Sequence, residues 1–107
     1  HCSLMKPAAE KLWNTLKNVK FSKPTINLVN NVNATSTNND EEIKNLLFKQ
    51  IFSQVRWRES IEFMLNNGIN QFIEIGPGKV LSGLVKRISD KPITESINKI
   101  DDIKKIQ

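Results

Sequence analysis

Apolar side chains recur at four-residue steps from the start of the chain: Leu4, Ala8, Leu12 and Leu16, with Met5, Ala9 and Trp13 beside them. That period predicts a helix over residues 4–19, with Pro7 in the first turn, where a missing N–H costs nothing. Residues 25–29, Thr-Ile-Asn-Leu-Val, form a short β-branched run and predict a strand. The Asn-, Ser- and Thr-rich stretch from 30 to 39 predicts a loop, because those side chains compete for nearby backbone groups. A cap within residues 38–40, followed by Asp40, Glu41 and Glu42, predicts a second helix to about Phe52, carrying Ile43, Leu46, Leu47, Phe48 and Ile51. After a break at 53–57, residues 58–67 predict a third helix closed by Gly68. A near-continuous apolar strand at 71–75 follows, then a Gly-Pro-Gly turn and a helix over 79–88 with Val80, Leu81, Leu84, Val85 and Ile88 inside. Residues 93–97 predict a last strand, and residues 101–106 a last helical turn.

Strands alternating with helices predict an α/β fold: a mostly parallel sheet covered by helices. The length of 107 residues allows one small domain, and 38% hydrophobic with 25% charged residues is globular composition. One cysteine and one histidine exclude a disulfide scaffold and a His/Cys metal cluster, and no carboxylate motif predicts a metal. No run reaches the length of a membrane span, and no leader-like segment is visible, so a cytoplasmic setting is expected. The chain begins at His1, not Met, which is expected of a cleaved product or a piece of a longer protein.

The net charge of +5 is mostly lysine, which supplies 13 of 16 basic residues, and lysine, asparagine and isoleucine each occur 13 times. That bias is what A+T-rich coding produces. The basic residues are spread out and lack interleaved aromatics, which argues against nucleic-acid binding. An acidic partner fits the charge equally well.

Chemistry-bearing residues are few. The turn Gly76-Pro77-Gly78 between a strand and a helix is a ready anion site, but Ile73 and Val80 stand where a phosphate loop needs Gly and Ser or Thr. The plainer reading is a tight turn where a Cβ would clash. His1 is the lone side chain that titrates near neutrality. Cys2 reads as a small buried thiol. Gln50 reads as an ordinary exposed amide, and no Ser/His/Asp set is visible.

Three segments taken together change these readings: His1-Cys-Ser-Leu-Met5-Lys-Pro-Ala, Gln50-x4-Val55-x-Trp57-x-x-Ser60 and Phe72-Ile-Glu-Ile-Gly-Pro-Gly-Lys-Val-Leu81, with Val29-Asn-Asn-Val32 between the first two. In that order they resemble the C-terminal third of the malonyl-CoA:acyl carrier protein transacylases, over the chain up to about Ile97. The resemblance implies the C-terminal part of an α/β-hydrolase-like large subdomain, so that residues 1–107 are one incomplete segment of the malonyl/acyl transferase domain. It implies a ping-pong enzyme of fatty acid biosynthesis in which a serine, absent from this chain, is acylated by malonyl-CoA and a histidine activates first that serine and then the phosphopantetheine thiol of acyl carrier protein. His1 matches that histidine, and Gln50 the residue whose backbone carbonyl orients its ring. Gly76, Pro77 and Gly78 become a turn that shapes the site, and Lys86 and Arg87 candidates for docking the acidic carrier protein. No cofactor or metal is implied, no nucleic acid or membrane partner, and a monomer in the intact form, working in the cytoplasm or a plastid-like compartment.

Two positions depart from the family pattern. Gln54 stands where proline is usual, which loosens the turn after Ile51-Phe52, and Asn33 stands where aspartate is common. With the serine absent, the chain alone is expected to be inactive and marginally stable, exposing apolar strand edges. The alternative is a truncated or decayed non-catalytic remnant that at most binds carrier protein, which Gln54 and the Lys/Asn/Ile bias favour.

Overall fold

The structure is a computed structural model, and it describes residues 2–107. The chain divides into two compact units, one up to Ser60 and one from Ile61.

In the first unit a 3-10 turn at Ser3–Met5 leads into helix α1 (Lys6–Leu16), with Pro7 at its start. The predicted helix is therefore trimmed at both ends. Its last turn tightens through Asn18 and Val19, whose N–H groups donate three residues back. The buried residue of α1 is Ala9, while Leu4 is 86% exposed and Leu12 also faces out. The four-residue stripe is thus not what α1 buries; the small Ala9 is. Cys2 is exposed, against its reading as a buried thiol.

Strand β1 (Leu28–Val29) covers just the end of the predicted strand and pairs antiparallel with a strand from inside the predicted loop, β2 (Ser36–Thr37), Leu28 opposite Thr37 and Val29 opposite Ser36. Helix α2 (Asp40–Gln50) opens on Asn39, whose side-chain Oδ1 accepts the Glu42 N–H at 2.9 Å. The cap satisfies an orphan amide, and the three acidic residues that follow complement the helix dipole. Ile43 and Leu46 are buried with Ala9 and Ala34 as the core of this unit. The α1–α2 packing carries an aromatic series: Trp13 and Phe48 have ring centroids 5.4 Å apart, and Phe48 and Phe52 5.3 Å apart, edge to face.

Helix α3 (Trp57–Asn66) begins one residue earlier than predicted. It ends in the second unit, where the Gly68 N–H donates to the Leu65 carbonyl and the Ile69 N–H to that of Met64. This pair of bonds needs a left-handed residue between helix and exit, and Gly68 supplies it at φ +88°. Strand β3 (Gln71–Ile75), helix α4 (Val80–Ile88) and strand β4 (Ile93–Ile97) make a strand–helix–strand unit. β3 and β4 pair in parallel, Gln71 opposite Ile93 through Ile75 opposite Ile97. A closing 3-10 helix spans Ile100–Ile106. Ile61 and Val85 form the core here.

The fold is α/β, as predicted, but of the two strand pairs one is parallel and one antiparallel. Val80 and Leu81, predicted inside, are exposed, Val80 to 72%, while Ser82 is the buried residue of that first turn.

Candidate functional site

Gln50 is the last residue of α2. Beyond it the helix tightens into bonds three residues back, Ile51 N–H to the Phe48 carbonyl at 3.4 Å and Phe52 N–H to that of Lys49 at 3.3 Å. A carbonyl in the last turn of a helix takes its partner from outside the regular helix ladder, which is what an orienting carbonyl requires. Gln50 lines a cavity of about 250 Å³ with Val29, Asn30, Asn31 and Leu46. Its partner in the resemblance, His1, lies outside the described residues.

The turn that runs on from Val29 and Asn30 in the cavity wall is built by asparagines. Buried Asn30 accepts the N–H groups of Val32 (2.8 Å) and Asn33 (3.1 Å) on its Oδ1 and donates from Nδ2 to Asn33 Oδ1 at 2.8 Å. Asn33 Oδ1 also accepts the Thr35 N–H at 3.3 Å. Both bonds to Asn33 Oδ1 use an acceptor that an aspartate also offers, so the Asn33 departure keeps this part of the turn's chemistry. The turn then passes through Ala34 in the left-handed region at φ +56°.

Two of the resembling segments meet on this turn. The Arg56 N–H donates to the Asn31 carbonyl at 3.1 Å. The buried Ser60 hydroxyl contacts the Arg56 carbonyl at 2.7 Å, Asn31 Oδ1 at 3.3 Å and the Asn30 carbonyl at 3.4 Å. Ser60 is thereby a clasp, its hydroxyl spent on backbone and amide oxygens. Arg56 also pairs with Glu59 through Nε and Oε2. The sequence reading missed the clasp, although Asn-Asn before Val and the spacing to Ser60 were on view.

In the second unit, Gly76 (φ +141°) and Gly78 (φ +80°) flank Pro77. A Cβ on either glycine would meet nothing within 4 Å. The expected clash is therefore absent, and backbone conformation is the reason for both glycines. The first amides of α4 do not await an external anion. Glu74 takes them: Oε1 accepts the Ser82 N–H at 2.8 Å and the Ser82 hydroxyl at 2.9 Å, and Oε2 the Leu81 N–H at 3.2 Å. The backbone bond from Ser82 holds the Glu74 carboxyl below its ordinary range, against a smaller opposing effect of burial. No sequence motif marked this interaction; Glu two residues before the turn was its one available trace.

Lys86 and Arg87 lie exposed in the last turn of α4, where cations suit the helix dipole. Lys86 lines a recess of about 270 Å³ with Lys79, Lys105, Ser82 and Ser96, and with one acid, Glu95. Among the described residues no group of three or more His, Cys, Asp or Glu side chains is placed to hold a metal ion, and no helix is long and apolar enough to cross a membrane.

No family model matches the chain. Individual proteins do. The malonyl CoA-acyl carrier protein transacylase of Haemophilus influenzae is 45% identical over 100 residues, which is 94% of this chain and 32% of that protein. The crystal structure of an acyl carrier protein S-malonyltransferase from Vibrio cholerae superposes with a TM-score of 0.90 at 40% identity, over 100% of this chain and 35% of that one. A malonyl-transacylase solved in complex with a type II PKS acyl-carrier protein superposes at 0.86 with 41% identity, over 96% of this chain and 33% of that one. The chain spans about a third of the length of the curated relatives it matches. It is homologous to the malonyl CoA-acyl carrier protein transacylases over nearly all of its own length and about a third of theirs.

Proposed function

We propose that this chain is the C-terminal segment of a malonyl-CoA:acyl carrier protein transacylase and carries the histidine half of its catalytic pair. The observation that carries the reading is the coincidence of 40% identity with a TM-score of 0.90 over the whole chain. Residues 1–107 are an incomplete part of the transferase domain. Large apolar side chains left in the open, among them Ile75 at 81% exposure and Leu4, fit a chain whose remaining cover comes from elsewhere in the protein.

The reaction is a double displacement. The serine hydroxyl of the missing part attacks the malonyl thioester carbonyl while His1 takes its proton. The tetrahedral intermediate collapses to a malonyl-serine ester, and the thiol of CoA leaves with the proton from His1. His1 then takes the proton of the phosphopantetheine thiol, which attacks the ester, and serine leaves reprotonated. The Gln50 carbonyl accepts the other ring N–H of His1 and holds one tautomer, which removes the need for an aspartate. Gly76, Pro77 and Gly78 shape the site without binding phosphate, consistent with Glu74 occupying the α4 amides. Lys86 and Arg87 dock the acidic carrier protein, a reading supported by the relative solved with such a carrier. The chain by itself transfers nothing.

The test is His1→Ala in the full-length protein encoded by the source gene. Formation of the malonyl-enzyme, followed by mass spectrometry, should slow by about 10²–10⁴-fold. Near-normal turnover, a malonyl adduct on residues 1–107 alone, or a source gene that encodes no nucleophilic serine upstream would each defeat the proposal, the last in favour of a non-catalytic remnant.

A further inference from the structure

We infer that the aromatic series between α1 and α2 is a positioning device for Gln50, one that steadies a helix end whose following turn carries no proline. The inference rests on the proposed roles of His1 and Gln50.

The geometry runs in one line. Lys6 Nζ, in the first turn of α1, lies 5.9 Å from the Phe52 ring centroid. Phe52 meets Phe48 edge to face at 5.3 Å and an interplanar angle of 74°. Phe48 meets Trp13, near the end of α1, at 5.4 Å and 57°. Both ring pairs fall in the separation and tilt that the ring quadrupoles favour, and the lysine lies at the edge of cation–π range. Phe48 and Phe52 are one helical turn apart, so they share the face turned to α1, and they bracket Gln50. Gln50 lines the cavity with Val29 and Asn30, and neither Phe48 nor Phe52 is among its lining residues. The series therefore meets the carbonyl-bearing end of α2 away from that cavity.

The end of α2 needs holding. The bonds that close it, at 3.3 and 3.4 Å, are long for N–H to O. The turn that follows carries the exposed Gln54, which leaves φ free where a proline would fix it. Phe52 lies between Gln50 and Gln54, and the aromatic contacts tie it to α1, which begins five positions after His1 in sequence. Lys6, five positions after His1, and Phe52, two after Gln50, are the terminal pair of the series. What is fixed by the series is thus the spacing of the two segments that bear the proposed base and its orienting carbonyl. A misplacement of this kind costs turnover more than binding, because substrate contacts are untouched.

The experiment compares variants of the full-length enzyme. Phe48→Leu keeps an apolar residue and helix propensity but removes the middle ring. The expected result is a fall of about tenfold in kcat for malonyl-enzyme formation, with KM for malonyl-CoA unchanged. Adding Gln54→Pro should restore most of that loss, since it supplies the stiffness by another route. If Phe48→Leu fails to fold, Lys6→Gln removes only the cation at the surface end, and a smaller loss of kcat with the same rescue is expected. An unchanged kcat, or a loss that Gln54→Pro leaves in place, overturns the inference. Full turnover in His1→Ala overturns the underlying reading instead, so the two failures are told apart.

Discussion

Glu74, on β3, accepts both the backbone N–H and the hydroxyl of Ser82, in the first turn of α4, on a single carboxylate oxygen. The strand thus caps the helix that follows it, and Ser82 in turn reaches across to Ser96 of β4 at 3.0 Å. One carboxylate ties the helix to the strand before it, and through a serine pair to the strand after it.

That arrangement predicts an acid sensitivity. The Ser82 and Leu81 hydrogen bonds lower the folded-state value of the Glu74 carboxyl from its ordinary 4.5. A depressed carboxylate contributes stability above its unfolded value, and the contribution is lost as pH falls through the folded value. Glu74→Gln should therefore lower the Tm at neutral pH and flatten the decline in Tm below pH 4.5 relative to the parent. A variant with the parent's acid profile would show that Glu74 does not cap α4 in solution.

The clasp at Ser60 makes a second prediction. Its hydroxyl is buried among the Arg56 and Asn30 carbonyls and Asn31 Oδ1. Ser60→Ala leaves those oxygens short of a donor and should destabilise the protein by about 1–2 kcal/mol in urea unfolding. Because the clasp braces the turn that walls the Gln50 cavity, kcat should fall as well. An unfolding midpoint equal to the parent's would remove the clasp from the account.

Charge reversal at the end of α4 tests the docking proposal. Lys86→Glu with Arg87→Glu should raise KM for the acidic carrier protein by about tenfold, and more than it raises KM for malonyl-CoA. The difference should shrink as salt is added, since the Debye length is about 8 Å at physiological ionic strength. Equal effects on both substrates would place these residues elsewhere in the mechanism.

Elements with a strong local signal were legible in the sequence. Asn39 falls within the predicted cap, Gly68 ends α3 as predicted, and β3 and β4 have their predicted bounds. Each follows from residues adjacent in sequence. What was not legible depends on partners far along the chain. β2 lay hidden in a polar loop because two residues of pairing leave no periodicity to read. The Ser60 clasp joins residues 30 apart, and Glu74 reads as any strand acid until α4 folds back over it. Inside and outside were misread at Val80 and Leu4, because apolar period alone does not say whether a facing surface is present. The candidate site rests on family resemblance, since neither a terminal histidine nor a helix-ending glutamine has chemistry that spacing alone reveals.

The parallel β3–β4 pair also sets an order of events as the chain is made. Glu74 and Ser82 are eight residues apart, so that contact closes a short loop and forms at small entropic cost. The strand pairing needs α4 and the turn after it already in place, because a parallel partner arrives only after a crossover. The helix cap therefore precedes the sheet. Local contacts of this kind are fast to form, so the strand–helix–strand segment is equipped to assemble from its own residues as soon as β4 emerges.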